Sequence, residues 1–137
     1  MNSISNLAGP DMKVFVVEDS AAVRERLVEM IREVEDVEVV GEAATYGKAV
    51  AGIAGTAPDV AILDIRLADD EGSGIDVLNE IRKTMPAIRA IVMSNYITPQ
   101  HMKASADAGA EYFLDKSVEF DRIPEILRQM GSSKKLD

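Results

Sequence analysis

The stretch VFVVED, residues 14–19, sets a continuous apolar run directly before two carboxylates. Four further runs of this kind are short and mostly β-branched or aromatic, at residues 37–40, 60–63, 90–93 and 112–114. Because these runs are apolar almost throughout, with Glu38 the one charged residue inside them, they predict strands that are covered on both faces. Each interval between them is long enough for a helix, so strand and helix should alternate along the chain.

Two of the intervals, and the stretch after the last run, carry apolar residues at helical spacing, with charged residues on the opposite side. We expect Ser20 to cap the first of these helices, Pro86 to end the second and Gly131 to end the last. The apolar positions are Val23, Leu27, Met30, Ile31 and Val34, then Ile75, Leu78, Ile81 and Met85, and finally Ile123, Ile126, Leu127 and Met130.

Two other helices are less well marked. Residues 47–55 predict one of them, although Gly52 lies inside it. Residues 98–109 predict the other, which has Met102 as its only large apolar residue and should therefore pack weakly. Such a helix is either a moving part or simply short and solvated. Together the elements predict an α/β fold, a doubly wound parallel sheet of five strands with five helices on its two faces.

Bulk composition limits the classes of function. The 137 residues, 47% of them hydrophobic, fit one domain, which we place at residues 12–131 between a flexible leader over residues 1–11 and a polar tail over residues 132–137. The net charge of −9 argues against direct nucleic-acid binding, and the lack of cysteine excludes disulfides and thiolate metal sites. No apolar run reaches the roughly 20 residues that span a bilayer, so we expect no membrane partner, and the lack of cysteine fits the reducing cytoplasm in which we expect the protein.

Charged and hydroxyl side chains close four of the predicted strands. Glu18 and Asp19 follow the first, Asp64 follows the third, Ser94 follows the fourth and Lys116 comes just after the fifth. Because the carboxyl ends of parallel strands meet at one edge of a sheet, these side chains should surround a common crevice. Three carboxylates facing one ammonium suggest a site for a divalent cation and a phosphoryl group.

This set of residues resembles the receiver domain of two-component response regulators, and especially the single-domain, chemotaxis-regulator-like members, over residues 12–130. The resemblance implies a flavodoxin-like sheet with the strand order 2-1-3-4-5. It also implies that Asp64 is the phosphoacceptor, and that Ser94, Lys116 and the backbone N–H of Asn95 bind the phosphoryl group. Ser94 and Phe113 would be the switch residues.

The metal most compatible with this cluster is Mg²⁺. Like charges at close range raise one another's pKa, and a bound cation removes that cost. Hard carboxylate oxygens without His or Cys nearby favour Mg²⁺. By resemblance, Asp19, Asp64 and the backbone carbonyl of Arg66 would be direct ligands, and Glu18 would act through water.

Each of these residues also has a simpler interpretation. Glu18 and Asp19 could be an acidic start to the first helix, and Lys116 could be exposed or paired with Asp115. Ser94 could form a local turn bond at the end of its strand. Phe113 is equally compatible with ordinary core packing. The lone histidine, His101, is most simply a solvated helix residue or an interface residue.

Three features depart from the family pattern. The loop over residues 68–73 is strongly acidic and about two residues longer than usual, with Ala68 where receivers have a proline. Ser117 replaces the proline that usually follows the lysine. Pro124 interrupts the stretch where the last helix of the family begins. All three features lie on surfaces that partners contact rather than at the nucleophile.

The leading hypothesis is a phosphoacceptor that takes its phosphoryl group from a sensor histidine kinase or a phosphotransfer protein. It would not turn over an external substrate, although it can lose its own phosphoryl group to water. Its output would be a contact with a downstream protein or a second copy, through the face formed by residues 98–108, 112–114 and 123–130. The alternatives are a phosphorylation-independent interaction module and a Mg²⁺-dependent aspartyl-phosphate phosphatase or phosphotransferase.

Overall fold

The computed structural model describes residues 12–69 and 71–136, with side chains described as far as residue 131. The predicted leader over residues 1–11 lies outside the described residues. The strands are β1 (Met12–Val17), β2 (Val37–Ala43), β3 (Val60–Asp64), β4 (Arg89–Ser94) and β5 (Tyr112–Asp115). The main helices are α1 (Ala21–Arg32), α2 (Tyr46–Thr56), α3 (Gly74–Thr84), α4 (Pro99–Asp107) and α5 (Ile123–Leu136).

The five strands form one parallel sheet in the order β2-β1-β3-β4-β5. This confirms the predicted fold class and strand order. Strands β1 and β3 lie side by side at the centre, where the strand order reverses. A ligand crevice in such a sheet lies outside the carboxyl ends of the strands at this reversal. The topology therefore brings the ends of β1 and β3 together.

The two faces of the sheet bury separate apolar clusters. Helices α1 and α5 cover one face, where Leu27 and Leu127 pack against Val14 and Val16 of β1. Helices α2 and α3 cover the other face, where they pack against Phe15 and its neighbours. Alternate residues of β1 thus enter opposite clusters, which is why its sequence is apolar throughout.

Gly52, inside α2, is explained by this packing. A Cβ at Gly52 would lie 2.6 Å from the ring of Phe15, and a Cβ at Gly41 of β2 would lie 2.5 Å from the same ring. The phenyl ring thus occupies the space of two absent side chains. Burial of this ring outweighs the helix propensity that a glycine forfeits.

Helix ends follow the local signals at two of the three predicted places. The hydroxyl of Ser20 accepts a hydrogen bond from the N–H of Val23, and α3 ends just before Pro86. The prediction that Gly131 ends the last helix is wrong, because α5 continues to Leu136. Glycine stops a helix when it adopts a positive φ, and Gly131 does not.

Helix α4 is weakly packed, as predicted. Ser105 is its only buried residue, and Met102 is 49% exposed. The approach to the last helix is broken into a single turn, Lys116–Glu119, and a 3-10 turn, Phe120–Arg122. Pro124 is the second residue of α5, where its missing N–H costs nothing. None of the described helices is both long and apolar enough to cross a lipid bilayer.

Candidate functional site

The structure brings the predicted charged residues together at the carboxyl edge of the sheet. Glu18 and Asp19 lie just after β1, Asp64 is the last residue of β3, and Lys116 follows β5. Helix α3 begins close to this edge of the sheet, where the N–H of Gly74 donates to the carbonyl of Ile65 at 2.9 Å. A Cβ at Gly74 would lie 2.1 Å from the backbone oxygen of Asp64. Glycine at this position therefore lets α3 start without displacing Asp64.

The ammonium of Lys116 bridges two of the carboxylates. Its Nζ donates to Oε1 of Glu18 at 2.8 Å and to Oδ2 of Asp64 at 3.1 Å. The side chains of Glu18 and Asp64 are 0% and 5% exposed, so this ion-pair network is almost excluded from water. Buried charge pairs interact more strongly than surface pairs because water screens them less.

Asp115 does not pair with Lys116, so that alternative is wrong. Its Oδ1 accepts hydrogen bonds from the N–H of Ser117 at 2.9 Å and from the Ser117 hydroxyl at 2.6 Å. These contacts cap the turn that begins at Lys116. Asp115 thereby fixes the backbone from which the lysine side chain reaches the crevice.

Two hydrogen bonds likewise fix the backbone around Glu18. Oε2 of Glu18 accepts a hydrogen bond from the N–H of Ser20 at 3.0 Å, and Arg24 donates to the Glu18 carbonyl at 2.9 Å. The first helix is therefore capped by Ser20 while the Glu18 side chain turns into the crevice. The interpretation of Glu18 as an ordinary acidic helix start does not account for its burial beside Lys116.

Burial dominates the protonation of the two carboxyls. It raises the pKa of Glu18 to about 7, although the hydrogen bond from Lys116 acts in the opposite direction. Burial also raises the pKa of Asp64, again against the effect of Lys116. Burial alone would lower the pKa of Lys116, but its bonds to Glu18 and Asp64 raise it. The lysine is thus held in its charged form.

The three carboxylates can hold a metal ion. One oxygen from each of Glu18, Asp19 and Asp64 lies within 4.8 Å of the others. Asp19 is exposed at the mouth of the cluster, and the other two are buried. A set of hard oxygen donors that includes an open position suits Mg²⁺, which keeps part of its water shell. The residues present therefore fit the predicted ion.

Ser94 and Asn95 lie beside this cluster at the end of β4, and both line the groove around Asp64. The Ser94 hydroxyl donates to the carbonyl of Tyr96 and accepts from its N–H, both at 2.9 Å. This is the local turn bond that the sequence left open. Ser94 is in place at the edge of the sheet, with its hydroxyl engaged by the loop.

A groove of about 980 Å³ surrounds Asp64, and it is lined by Tyr96, which was not predicted as a site residue, and by Arg66, which was predicted only as a backbone ligand. Arg66 stacks over the ring of Tyr96 at 5.1 Å, and Nδ1 of His101 lies 3.5 Å from the carbonyl of Tyr96. His101 is half-buried and lines this groove. The sequence signal for Tyr96 was proximity, since it follows the predicted site residue Ser94 by two positions.

Phe113 lies apart from the groove. It is partly buried in the apolar cluster beneath α3 and α4, as its position on β5 requires.

The acidic loop before α3 contacts the start of α2, where Oδ1 of Asp69 accepts a hydrogen bond from the N–H of Tyr46 at 3.2 Å. Asp69 thus joins the loop to the start of α2 while lining the groove that contains Asp64.

The raised pKa of Glu18 predicts a pH dependence for the metal-free protein. Between about 4.5 and about 7, the folded chain binds a proton that the unfolded chain has released. Stability should therefore fall as the pH rises through this interval, with Asp64 acting in the same direction. With EDTA present, we expect the Tm to fall between about pH 5 and about pH 8, and to fall less in Glu18→Gln.

Thermal unfolding followed by circular dichroism measures this effect. Glu125→Gln is the matched control, because the Glu125 side chain is 62% exposed and pairs with Arg128 at the surface. Its pH profile should follow that of the wild type. Equal pH slopes in wild type and Glu18→Gln would contradict the prediction.

Comparison with known proteins places these features in one family. A family model described as the response regulator receiver domain matches residues 14–128. The DNA-binding transcriptional activator DevR/DosR of Mycobacterium tuberculosis is 31% identical over 125 residues, 91% of this chain and 57% of that protein. The response regulator protein VraR of Staphylococcus aureus is 26% identical over 118 residues, 86% of this chain and 56% of that protein. The chain thus spans a little over half the length of these relatives.

Solved structures agree with this assignment. The signal receiver domain of the response regulator NarL from M. tuberculosis superposes with a TM-score of 0.80 at 27% identity, covering 90% of this chain and 98% of that one. The response regulator domain of Thermotoga maritima CheB gives a TM-score of 0.76 at 29% identity, covering 92% of this chain and 98% of that one. The chain belongs to the response regulator receiver domain family.

Proposed function

We propose that this chain is a phosphoacceptor of a two-component system, which receives a phosphoryl group on Asp64 from the phosphohistidine of a sensor kinase or a phosphotransfer protein. The observation that carries the proposal is the buried contact of Lys116 with both Glu18 and Asp64, at 2.8 and 3.1 Å, beside the exposed Asp19. Receiver domains are signalling modules rather than turnover enzymes. We place this one in the cytoplasm.

Asp64 is the nucleophile in this proposal. One of its carboxylate oxygens forms a bond to phosphorus as the bond from phosphorus to the donor imidazole nitrogen breaks, and the electron pair of that bond stays with the imidazole. Lys116 already touches Oδ2 of Asp64 and is positioned to neutralise charge on the incoming phosphoryl oxygens. Mg²⁺, when held by Asp19, Asp64 and the Arg66 carbonyl with Glu18 acting through water, supplies further positive charge at the same place.

Ser94 connects the site to the rest of the domain. To donate to a phosphoryl oxygen, its hydroxyl must leave the carbonyl of Tyr96, which it now contacts at 2.9 Å. The backbone N–H of Asn95 joins it in binding the phosphoryl group. Release of Tyr96 frees the loop that leads into α4. Movement of Ser94 toward Asp64 leaves space for Phe113, which completes the switch.

The output is a change in a protein-binding surface. Phosphorylation shifts the population between two packings of α4 rather than creating a new fold. The candidate surface combines residues 98–108, 112–114 and 123–130, and its occupant is a downstream protein or a second copy of the chain. Exposed Met102 lies on this surface. The relative DevR/DosR is a DNA-binding activator, but the net charge of −9 favours a protein partner for this chain.

Substitution of the acceptor tests the proposal. Asp64→Asn should abolish phosphoryl incorporation from a phosphorylated kinase while the domain stays folded, since the change is nearly isosteric and relieves acidic crowding. Intact-protein mass spectrometry measures the label, and circular dichroism checks the fold. Asp69→Asn, which keeps an oxygen acceptor for the Tyr46 N–H, is the control and should label normally.

The outcome also separates the alternatives. Full labelling of Asp64→Asn would reject Asp64 as the acceptor. A wild type that never gains a phosphoryl group, with acetyl phosphate or with any phosphorylated kinase tried, would be an interaction module. Continuous consumption of acetyl phosphate well beyond one equivalent would indicate a phosphatase.

Mg²⁺ should stabilise the folded chain, because it binds the carboxylate cluster that only the fold assembles. A hundredfold excess over Kd contributes roughly 2.7 kcal/mol. The rise in Tm should be smaller in Asp19→Asn than in Asp69→Asn, which changes an acidic residue outside the three-carboxylate cluster. Thermal melts over a Mg²⁺ titration measure both. Equal losses in the two variants would move the metal site toward the acidic loop.

The switch predicts a specific pattern of hydrogen exchange. A stable acyl-phosphate mimic such as beryllium trifluoride should change exchange over residues 98–108 and 120–130 as well as around Asp19, Asp64 and Lys116. Hydrogen exchange read by mass spectrometry on the wild type and on Asp64→Asn provides the comparison. Changes confined to the loops around Asp64 would mean that Phe113 is fixed core and that α4 does not respond.

A further inference from the structure

Arg82, near the end of α3, holds four backbone carbonyls at once. Its Nε and Nη2 donate to the carbonyls of Ala108 and Gly109, at 3.1 and 2.9 Å, just beyond the end of α4. Its Nη1 donates to the carbonyl of Pro86 at 2.9 Å and to that of Ile88, in the connection between α3 and β4. Hydrogen bonds from a charged, planar guanidinium are stronger and more directional than neutral ones.

The backbone conformation of Gly109 and its lack of a side chain allow this contact. Its φ is +90°, a conformation that side chains rarely adopt, and a Cβ there would lie 3.0 Å from Nε of Arg82. The left-handed turn aims the carbonyls that follow α4 at the guanidinium. The cation also lies at the negative end of the α4 dipole, which strengthens the attachment.

The other end of α4 has a weaker attachment: among the described side chains, His101 contacts the preceding loop, with its Nδ1 3.5 Å from the carbonyl of Tyr96. Thr98 accepts hydrogen bonds from the N–H groups of His101 and Met102, but these contacts lie within the first turn itself. Thr98 and His101 border the groove that contains Asp64. The packing of the helix is also imperfect, because Ser105 is 1% exposed and its hydroxyl has no hydrogen-bond partner among the described residues. A buried donor without an acceptor destabilises the position that buries it.

We infer that Arg82 is the pivot of α4: it fixes the carboxyl end of the helix, so that the helix opens from the end beside Asp64. This inference rests on the proposed function for its role in signalling, but the hinge itself exists in the unphosphorylated chain. Arg82 is a positioning residue in this account. Because Arg82 fixes one end of the helix, loss of the hydrogen bond between Ser94 and Tyr96 moves the amino end of α4 rather than the whole helix.

Residue-resolved hydrogen exchange of the free protein tests the pivot without phosphorylation. In the wild type, amides 101–103 should exchange faster than amides 108–110. In Arg82→Met, which keeps the length and removes the donors, amides 108–110 should speed up by about tenfold or more and match those of the first turn. Arg82→Lys should lie between the two. Lys83→Met, at a neighbouring side chain that is 69% exposed, should leave both groups unchanged.

A second measurement adds the acyl-phosphate mimic. In the wild type, the change in exchange should be larger at amides 101–103 than at 108–110, and in Arg82→Met this gradient should disappear while the rate of Asp64 labelling stays the same. A gradient that persists without Arg82, in either the free or the mimic-bound state, overturns the pivot. Absence of labelling in the wild type would reject the proposed function, and the free-state gradient would still decide whether Arg82 anchors α4.

Ser105→Ala keeps the inference testable if the Arg82 variants do not fold. Removing the orphaned hydroxyl should slow exchange at amides 101–103 and raise the Tm by a few degrees. Ala106→Ser, at an exposed position of the same helix, measures the change in helix propensity alone, and its Tm change should be smaller. A lower Tm in Ser105→Ala would show that α4 is well seated and would overturn the inference.

Discussion

The ammonium of Lys116 between the carboxylates of Glu18 and Asp64 is the interaction on which the site depends. Leaving two buried carboxylates without a counter-charge would be costly, since charge in the interior is tolerated only when it is paired and hydrogen-bonded. One lysine bonds to both at 2.8 and 3.1 Å, and the burial that raises their pKa values also excludes water from the pair. The carboxyl ends of β1, β3 and β5 must therefore stay close together, because each positions one member of the network.

This network leaves the edge of the sheet short of positive charge. Among the described residues, Lys116 is the one cation paired with this cluster, in which oxygens of Glu18, Asp19 and Asp64 lie within 4.8 Å of one another. In the function we propose, a divalent cation would add positive charge at this edge and an incoming phosphoryl group would add negative charge. The backbone around it is held firmly, by Gly74 against Asp64 and by Asp115 at the turn that carries Lys116.

Helix α4 contrasts with this rigid edge. It buries little besides Ser105, and the loop before it is joined to the site through the contact of Ser94 with Tyr96. Arg82 ties its far end to α3 and to the start of β4. A segment with few buried contacts opens at low free-energy cost, which is the property that the proposed switch needs in α4. The sheet, which is covered by helices on both faces, does not share this freedom.

The sequence by itself determined the five strands, their order by family resemblance, and the collection of Glu18, Asp19, Asp64, Ser94 and Lys116 at one edge. These follow from continuous apolar runs and from the rule that parallel strands end together. Only the tertiary structure decided that Lys116 pairs with Glu18 and Asp64 rather than Asp115. It also decided that Ser94 turns toward Tyr96 and that the last helix continues through Gly131. The contact of Arg82 with Ala108 and Gly109 was likewise visible only in the structure. Each of these depends on which of several nearby partners a side chain meets, or on the φ that packing allows, and neither is encoded in local periodicity.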